Sequence, residues 1–535
     1  MNCPIDVPLR LRFAAAVCLW LAAVMLEGDV LAAERVEPPS GELFVQEYRV
    51  EGVRHLPREA VEEAVYPFLG PGRTSEDVEQ ARLALEKAYR DGGFQAVAVQ
   101  LPPQQVHDGV VVLQVSEGVV GRLRVTGARY SSPKKIKAMT PSLAEGGVVD
   151  FTNVPRDIVA LNQLSERRVT PSLRATDTPG TVDVDLNVAE TSPLHAGVEL
   201  NNRRSANTTA LRLNTSVSDN NFLQRGDALG VSFQVAPQRP ADARVYSGYY
   251  LAHFAGLGGL GLMLQGTKQD SEISTLGGAA VVGRGAVVGA RALVRLPAGT
   301  DFYQSLSLGV DYKHFDQTLR VGGNDLVAPV TYWPLSANYS ATVVGDKRET
   351  ALSLGATLHL RGVGSNPAAF DARRYQAEAS FIFLRGELSH TRDLTGGAQL
   401  FGRVQGQLAN QALLDSEQFS GGGLGTARGY LESEAVGDNA LFGTIELRSP
   451  ELGRGGGARL SEWRVYAFGD AGWLKLRSAL PQQTSRFSLA SVGLGSRFRY
   501  RNHFNGSLDA GVPLIAQGQS PALDLRFTFR LWADF

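Results

Sequence analysis

Few residues in this chain have the type and spacing for bond-making chemistry. The eight histidines are scattered, and no pair of metal-ligating side chains shows helical spacing. There is no nucleophile elbow and no phosphate-cradling loop. What the sequence offers instead is charge placed at strand spacing. In WRVYAFGDAG, Arg464, Tyr466, Phe468 and Asp470 alternate with Val465, Ala467 and Gly469, so Asp470 lies on a polar face that leads on to Gly472. Arg464, Arg497, Arg499, Arg526 and Arg530 fall on the polar faces of the last strands, with Asp509 and Asp524 as acidic partners. Arg428 stands in a glycine-rich stretch without apolar period, followed by Gly429 and Tyr430; taken alone it reads as a solvated loop arginine. A guanidinium can grip a carboxylate through two parallel bonds, which fixes direction as well as distance. Such groups hold and line a passage. They do not make an enzyme, and they call for no cofactor and no metal.

The elements that position these charges are strands. The C-terminal LDLRFTFRLWADF puts Leu523, Leu525, Phe527, Phe529 and Leu531 on one face and Asp524, Arg526, Thr528 and Arg530 on the other. An ordinary strand over a soluble core is one reading. A membrane strand with lipid on one side and water on the other is the second, with Phe535 as an aromatic closing residue. From about Leu194 onward, alternating segments such as ALGVSFQV and ALSLGATLHL recur between Gly, Asn, Asp and Pro turns. About 340 residues at roughly ten per strand, plus connections, gives about sixteen strands. No segment after the first thirty residues approaches the 18–20 apolar residues of a spanning helix, so no transmembrane helix is expected.

The N-terminus reads as a secretory signal. Arg10 and Arg12 precede an apolar run from Phe13 to Met25, and Val30–Ala33 offers a small-residue cleavage site. Cys3 and Cys18 both lie in that segment, which leaves no disulfide in the mature chain. The formal net charge of −1 gives no electrostatic footprint for nucleic acid.

Between signal and strands lie two repeats of about 70 residues with the order strand, helix, helix, strand, strand. In the first, FVQEYRVEGV is followed by a helix begun by Pro57 and by TSEDVEQARLALEKAYRDGG, where Thr74 and Asp77 form a capping box. In the second, Pro133–Ser142 is a weak helix and VPRDIVALNQLSERR a stronger one. The repeats share an ending, LQVSEG at Leu113–Gly118 and LNVAET at Leu186–Thr191. Two apparent motifs carry nothing: Gly256–Gly261 lacks the helix a dinucleotide fingerprint needs, and Arg225-Gly226-Asp227 sits in an expected tight turn.

Three stretches resemble the outer-membrane transporters of two-partner secretion, within the BamA-type superfamily. They are LNVAETSPLHAGVELNNRRSANTTALRLNTSVSDNNFLQRGDAL, FSGGGLGTARGYLESEAVGDNALFGTIELRSP and YAFGDAG. The resemblance implies that Arg428-Gly429-Tyr430 folds back into the barrel and that Arg428 meets Asp470, with Phe468 and Gly472 in the same strand motif. Many relatives carry a larger aliphatic residue where Ala427 stands. The resemblance also implies that the repeats are polypeptide-transport-associated (POTRA) modules, whose open sheet edge can accept a strand from an unfolded chain.

The expectation is therefore an all-β, sixteen-stranded transmembrane barrel preceded by two small α+β modules. Its parts are a signal peptide at 1–33, a lead at 34–43, modules at 44–117 and 118–192, and a barrel at 193–535 with an inward loop at 421–438. The implied function is export of an unfolded, haemolysin-, haemagglutinin- or adhesin-like exoprotein across the bacterial outer membrane without nucleotide hydrolysis. Lipid and the barrel assembly machinery would be its other partners. The alternatives are a BamA-like assembly factor and, from another class, a passive porin or adhesin. Many relatives have an N-terminal plug helix; the lead is too short for one, so resting closure would fall to the loop. Arg464, Arg497, Arg499, Arg526 and Arg530 would line the lumen, either as solvated residues or as a substrate track.

Overall fold

The local rules show most clearly where Thr74 starts a helix. Its Oγ1 accepts from the Asp77 N–H at 3.3 Å, and Asp77 Oδ2 accepts from the Thr74 N–H at 2.8 Å. Two donors that a helix start leaves orphaned are thereby satisfied. The computed structural model describes residues 43–535 apart from 95–96, 107, 150, 163, 177–180, 255–258, 271–272, 275–280, 283, 317, 322–323, 328 and 454–459. The signal peptide, and the lead except for Leu43, lie outside the described residues, as do the first three residues of the Gly256–Gly261 run.

The first module contains β1 (Leu43–Val45), β2 (Glu47–Glu51), α1 (Arg58–Val65), β3 (Gly70–Arg73), α2 (Ser75–Asp91), β4 (Val97–Gln100) and β5 (Val110–Glu117). The sheet runs β2-β5-β4, and β1 pairs with β3 in a small addition that the repeat pattern does not show. Val78, Ala81, Leu85 and Tyr89 recur at helical spacing and are all buried. Burying a Val78- or Leu85-sized side chain stabilises by about 1.5–3 kcal/mol, and the Ala81 methyl by less.

The second module contains β6 (Val119–Thr126), α3 (Pro133–Ala138), α4 (Val154–Leu161), β7 (Arg167–Ala175) and β8 (Thr181–Glu190), with sheet order β6-β8-β7. Both helices are shorter than expected. After α3 the chain tightens into a 3-10 turn at Pro141–Leu143. After α4, the Asn162 side chain pairs with the Val169 backbone through N–H at 2.6 Å and C=O at 3.0 Å, so the chain leaves the helix to meet a strand. The shared endings do the same job twice. Glu117 accepts from the Arg54 and His55 N–H groups, and Glu190 from those of Arg129, Tyr130 and Ser131. In each case a left-handed glycine precedes the donors: Gly52 at φ +89° and Gly127 at φ +78°. An added Cβ there would lie 2.2 Å from Val115 O or 2.4 Å from Val188 O.

The barrel strands are β9 (Leu194–Asn201), β10 (Arg212–Phe222), β11 (Asp227–Val235), β12 (Arg244–Phe254), β13 (Leu260–Gln269), β14 (Arg284–Arg295) and β15 (Phe302–Asp316). Then come β16 (Val330–Tyr332 with Leu335–Gly345), β17 (Arg348–His359), β18 (Phe381–Asp393), β19 (Gln399–Ala409) and β20 (Asn439–Arg448). The last are β21 (Leu460–Lys475), β22 (Arg486–Tyr500), β23 (Phe504–Pro513) and β24 (Arg526–Asp534). The described residues thus close a sixteen-stranded antiparallel barrel, β24 pairing with β9 from Arg530↔Asn201 to Asp534↔Gly197. The break in β16 falls at Trp333-Pro334, because proline cannot donate to a ladder. Apolar residues such as Leu408 (65% exposed) and Leu494 (66%) face outward, as a lipid-facing band requires. The last strand is shorter than its alternation. Leu523 takes φ +65° and bonds Pro513 O, so the first residues of the run, Asp524 among them, belong to a turn.

The second module meets the turn after β10. Lys135 Nζ donates to Leu223 O at 2.6 Å, and Asn220 donates to Glu166 at 2.9 Å. Arg225 and Gly226 lie in this turn and Asp227 opens β11, buried and accepting from Tyr250 Oη and the His253 N–H.

Candidate functional site: a buried arginine latch in the lumen

After β19 the chain forms a 3-10 turn at Asp415–Glu417 and a short hairpin that pairs Phe419–Gly421 with Ala435–Gly437. The tip between them carries Arg428, which is 5% exposed. A loop arginine is buried only when its donors are satisfied. Here Nε and Nη2 each reach Asp470 at 2.8 Å, a bidentate grip, and the Arg428 backbone N–H adds a third bond at 3.0 Å. Nη1 donates to Glu446 at 2.5 Å and lies 3.8 Å from Asp509. The guanidinium carbon lies 3.7 Å from the centre of the Phe468 ring.

Asp470 reaches the lumen because β21 alternates. The same parity brings Tyr466, Phe468 and Gly472 inward. Glycines on neighbouring strands leave room for the rings beside them. Phe468 lies opposite Gly493, Tyr466 opposite Gly495 and Phe442 opposite Gly472. An added Cβ would fall 2.4, 2.3 and 2.3 Å from those rings, respectively. Gly429, at φ +92°, passes the backbone of Gly511 so closely that a Cβ on Gly511 would sit 2.8 Å from Gly429 N.

Tyr430, the third residue of the tip, has neither its ring nor its hydroxyl in open water. It is 2% exposed, and its hydroxyl sits 2.7 Å from Ile515 O and 3.0 Å from Ala490 O. The reason is the backbone after β23, whose carbonyl turns inward and needs a donor.

Glu446 is the site residue that sequence reading missed. It lies on β20 directly opposite Phe468 and also accepts from Arg448 at 2.9 Å and Arg497 at 3.4 Å. Its signal was present: Thr444, Glu446 and Arg448 alternate with Ile445 and Leu447. The five lumen arginines do not form one track. Arg497 stacks on Tyr466 at 4.5 Å beside Glu446, and Arg526 donates to Gly429 O at 3.1 Å, so these two belong to the latch. Arg530 pairs with Glu199 at 2.6 Å across the closing seam. Arg464 donates to Ser449 O and Gly397 O, and Arg499 to Asn505, near the turns. Phe535 bonds Ala196 through both backbone groups and stacks on His503 at 5.6 Å.

Four acidic residues of the loop are also fastened to the wall. Glu417 meets Lys313 and Tyr332 at 2.6 Å each, and Glu432 meets Arg203 at 2.7 Å. Glu434 accepts from Gln519 N–H at 2.6 Å, and Asp438 takes both nitrogens of Arg374 at 2.6 and 2.7 Å. The arrangement can hold and release a segment. Nothing in it activates a nucleophile.

A closed sixteen-stranded barrel with an outward apolar band, an inward loop and two preceding α+β modules has the architecture of an outer-membrane barrel. Residues 43–118 match the model of the POTRA domain, ShlB-type, and residues 328–498 that of the haemolysin secretion/activation protein ShlB/FhaC/HecB. The two matches, over the first module and over β16 to β22, agree with the resemblance of the sequence to the outer-membrane transporters of two-partner secretion. Among solved structures, CdiB from Escherichia coli matches at 19% identity and TM-score 0.57, covering 100% of both chains. CdiB from Acinetobacter baumannii matches at 15% and 0.54, covering 98% of this chain and 97% of that one. BamA from Haemophilus ducreyi lacking POTRA domains 1–3 matches at 15% and 0.56, covering 92% and 100%. No curated protein matches the chain.

Proposed function

We propose that this pore exports one unfolded exoprotein, captured in the periplasm on the modules, by swinging loop 421–438 off its latch. The observation that carries this reading is Arg428, buried in the lumen between Asp470 and Glu446. A loop held by charge inside a water-filled barrel blocks the path, and its exit clears it. Capture fits the modules. The edge strand β7 leaves backbone groups for an added strand, and Leu173 beside them is 51% exposed. Strand addition asks little of cargo sequence and needs no nucleotide. Lipid surrounds the apolar band, and the barrel assembly machinery would insert the protein.

Arg428→Ala tests the reading. Exoprotein in the medium is measured together with heat-modifiable barrel in outer membranes. Export should fall to a trace while the barrel still inserts. Undiminished export by an inserted Arg428→Ala barrel would remove the loop from the mechanism.

A further inference from the structure

Where the second module meets the turn between β10 and β11 there is a cavity of about 270 Å³ that the latch does not use. Its barrel wall is the inner face. Ala228 pairs with Leu251, and His253 pairs with Gly261, which pairs in turn with Leu293. Arg295 follows Leu293 at the next position of the same parity. The opposite face of these strands carries the exposed apolar residues Val231, Leu262 and Val288. The cavity therefore opens at the module-side mouth of the lumen. Its other wall comes from the two helices of the module, with Lys135 and Met139 at the end of α3 and Ala160 and Leu164 at the end of α4. Leu164 fits against Gly226, where an added Cβ would sit 3.2 Å from it.

The cavity is rich in cations and poor in partners for them. Lys135, Arg167, Arg225 and Arg295 line it, against one carboxylate, that of Glu166. Glu166 is already engaged, by the Asn220 amide at 2.9 Å and by His195 at 3.5 Å. Lys135 Nζ gives to the Leu223 carbonyl. No described carboxylate pairs with Arg225 or Arg295.

Arg167 is the telling member. It is 9% exposed, and a buried guanidinium is costly without an anion bonded to it. Its Nε and Nη2 reach the Leu161 carbonyl at 3.0 and 2.8 Å, and its Nη1 has the Ser131 hydroxyl at 3.4 Å. Glu190 acts on its charge from a distance, but that carboxylate accepts from three backbone N–H groups and is not bonded to the guanidinium. Arg167 also opens β7, the free edge of the module sheet. A strand added along that edge has one end at this cavity.

We propose that the cavity receives a side-chain carboxylate of the exported chain as it passes from module to lumen, so that acidic residues of the cargo are read here. This rests on the export reading above and adds the charge of the segment recognised. An entering carboxylate gives Arg167 the anion it lacks and draws charge-assisted hydrogen bonds from the cations around it. Lys135, Arg225 and Arg295 are open to water, where ion pairs are weak, so the grip is modest and the cargo moves on.

The test uses the full-length protein in detergent micelles and two fluorescent, unstructured peptides, one alternating serine with glutamate and one serine with glutamine. The glutamate peptide should bind about tenfold tighter, the order of one charge-assisted hydrogen bond. Arg225→Gln combined with Arg295→Gln, both at exposed positions, should erase that preference. Lys347→Gln combined with Arg348→Gln removes the same charge from the turn between β16 and β17 and should leave the preference in place. Equal binding of the two peptides by the native protein would overturn the proposal. So would a preference that survives the first double variant, or one lost equally in both, which would make it a property of net charge. Displacement of the glutamate peptide by phosphatidylglycerol in the micelles would also overturn it and give the cavity to a lipid headgroup. The export assay of Arg428→Ala is independent of this readout: the loop can fail as a gate while peptide affinity stands, and peptide affinity can fail while export still depends on Arg428.

Discussion

The inward loop and the segment 360–380 are fastened to the same barrel by opposite means. The loop is held by charge: Arg428 to Asp470 and Glu446, Glu432 to Arg203, Asp438 to Arg374. The segment is held by packing: Phe370, Phe381, Tyr332, Leu413 and Leu414 around the His359 ring. Charge buried without its partner is costly, so the latch has two states and little between them. Apolar packing is non-directional and yields by degrees. The first kind of contact suits a part that must let go, the second a part that must stay.

The largest break in this contrast should come from the latch. Arg428→Ala leaves Asp470 and Glu446 buried and unpaired, a cost of about 3–5 kcal/mol, and export should be lost. Asp470→Ala should match it, and the double variant should be no worse than either single, measured as secreted exoprotein per inserted barrel. Phe370→Ala comes next. It removes about 3–5 kcal/mol of packing under segment 360–380, so the barrel should unfold at lower temperature in detergent while export stays intact. Loss of export there would mean that this packing, too, serves the latch. Glu446→Gln should be milder, since Asp470 still holds Nε and Nη2 of the guanidinium; a few-fold drop in export would sharpen the ranking of the two carboxylates.

The smallest effect lies in the second module. Burial pushes the Glu190 carboxyl up, but the Ser131 hydroxyl and the backbone N–H groups of Tyr130, Arg129 and Ser131 outweigh it and hold it below its ordinary value of 4.5. A depressed carboxylate stabilises above its unfolded value and loses that stabilisation as pH falls through the folded one. Module unfolding, followed by circular dichroism of the whole protein, should therefore steepen below about pH 4.5, and Glu190→Gln should flatten that slope.

Much of this was legible. Alternation in β21 put Asp470 inward, and the glycine-rich tip marked the one segment without period. The shared endings LQVSEG and LNVAET announced two modules. What could not be read was partnership. Thr444, Glu446 and Arg448 alternate as clearly as Asp470 does, but nothing local says which of many inward charges a loop tip will reach. The hydroxyl of Tyr430 went to Ala490 O on β22 and to Ile515 O, which comes within reach only once the chain after β23 has turned. The cluster around Phe370 was invisible because His359, Phe370 and Leu413 belong to three different segments, each short and ordinary alone. The apparent start of the last strand misled for a simpler reason: alternation ignores the turn that Pro521 and a left-handed Leu523 make.

The seam between the first and last strands deserves to be followed one step further. Only part of β9 pairs with β24, and beyond Asn201 the ladder is continued by a side chain: the Asn202 amide takes the Phe529 N–H at 2.8 Å and gives to Phe527 O at 2.9 Å. Just past that point the inward loop touches both edges, with Glu432 on Arg203 of the first and Gly429 O on Arg526 of the last. The loop is thus a clasp across the line where the cylinder shuts. During biogenesis these contacts cannot be completed before the two edges meet, so threading the loop and closing the wall become a single event. A barrel whose clasp is undone keeps its circumference only by strand pairing, Asn202 and the Arg530–Glu199 pair, and should open at lower temperature in detergent.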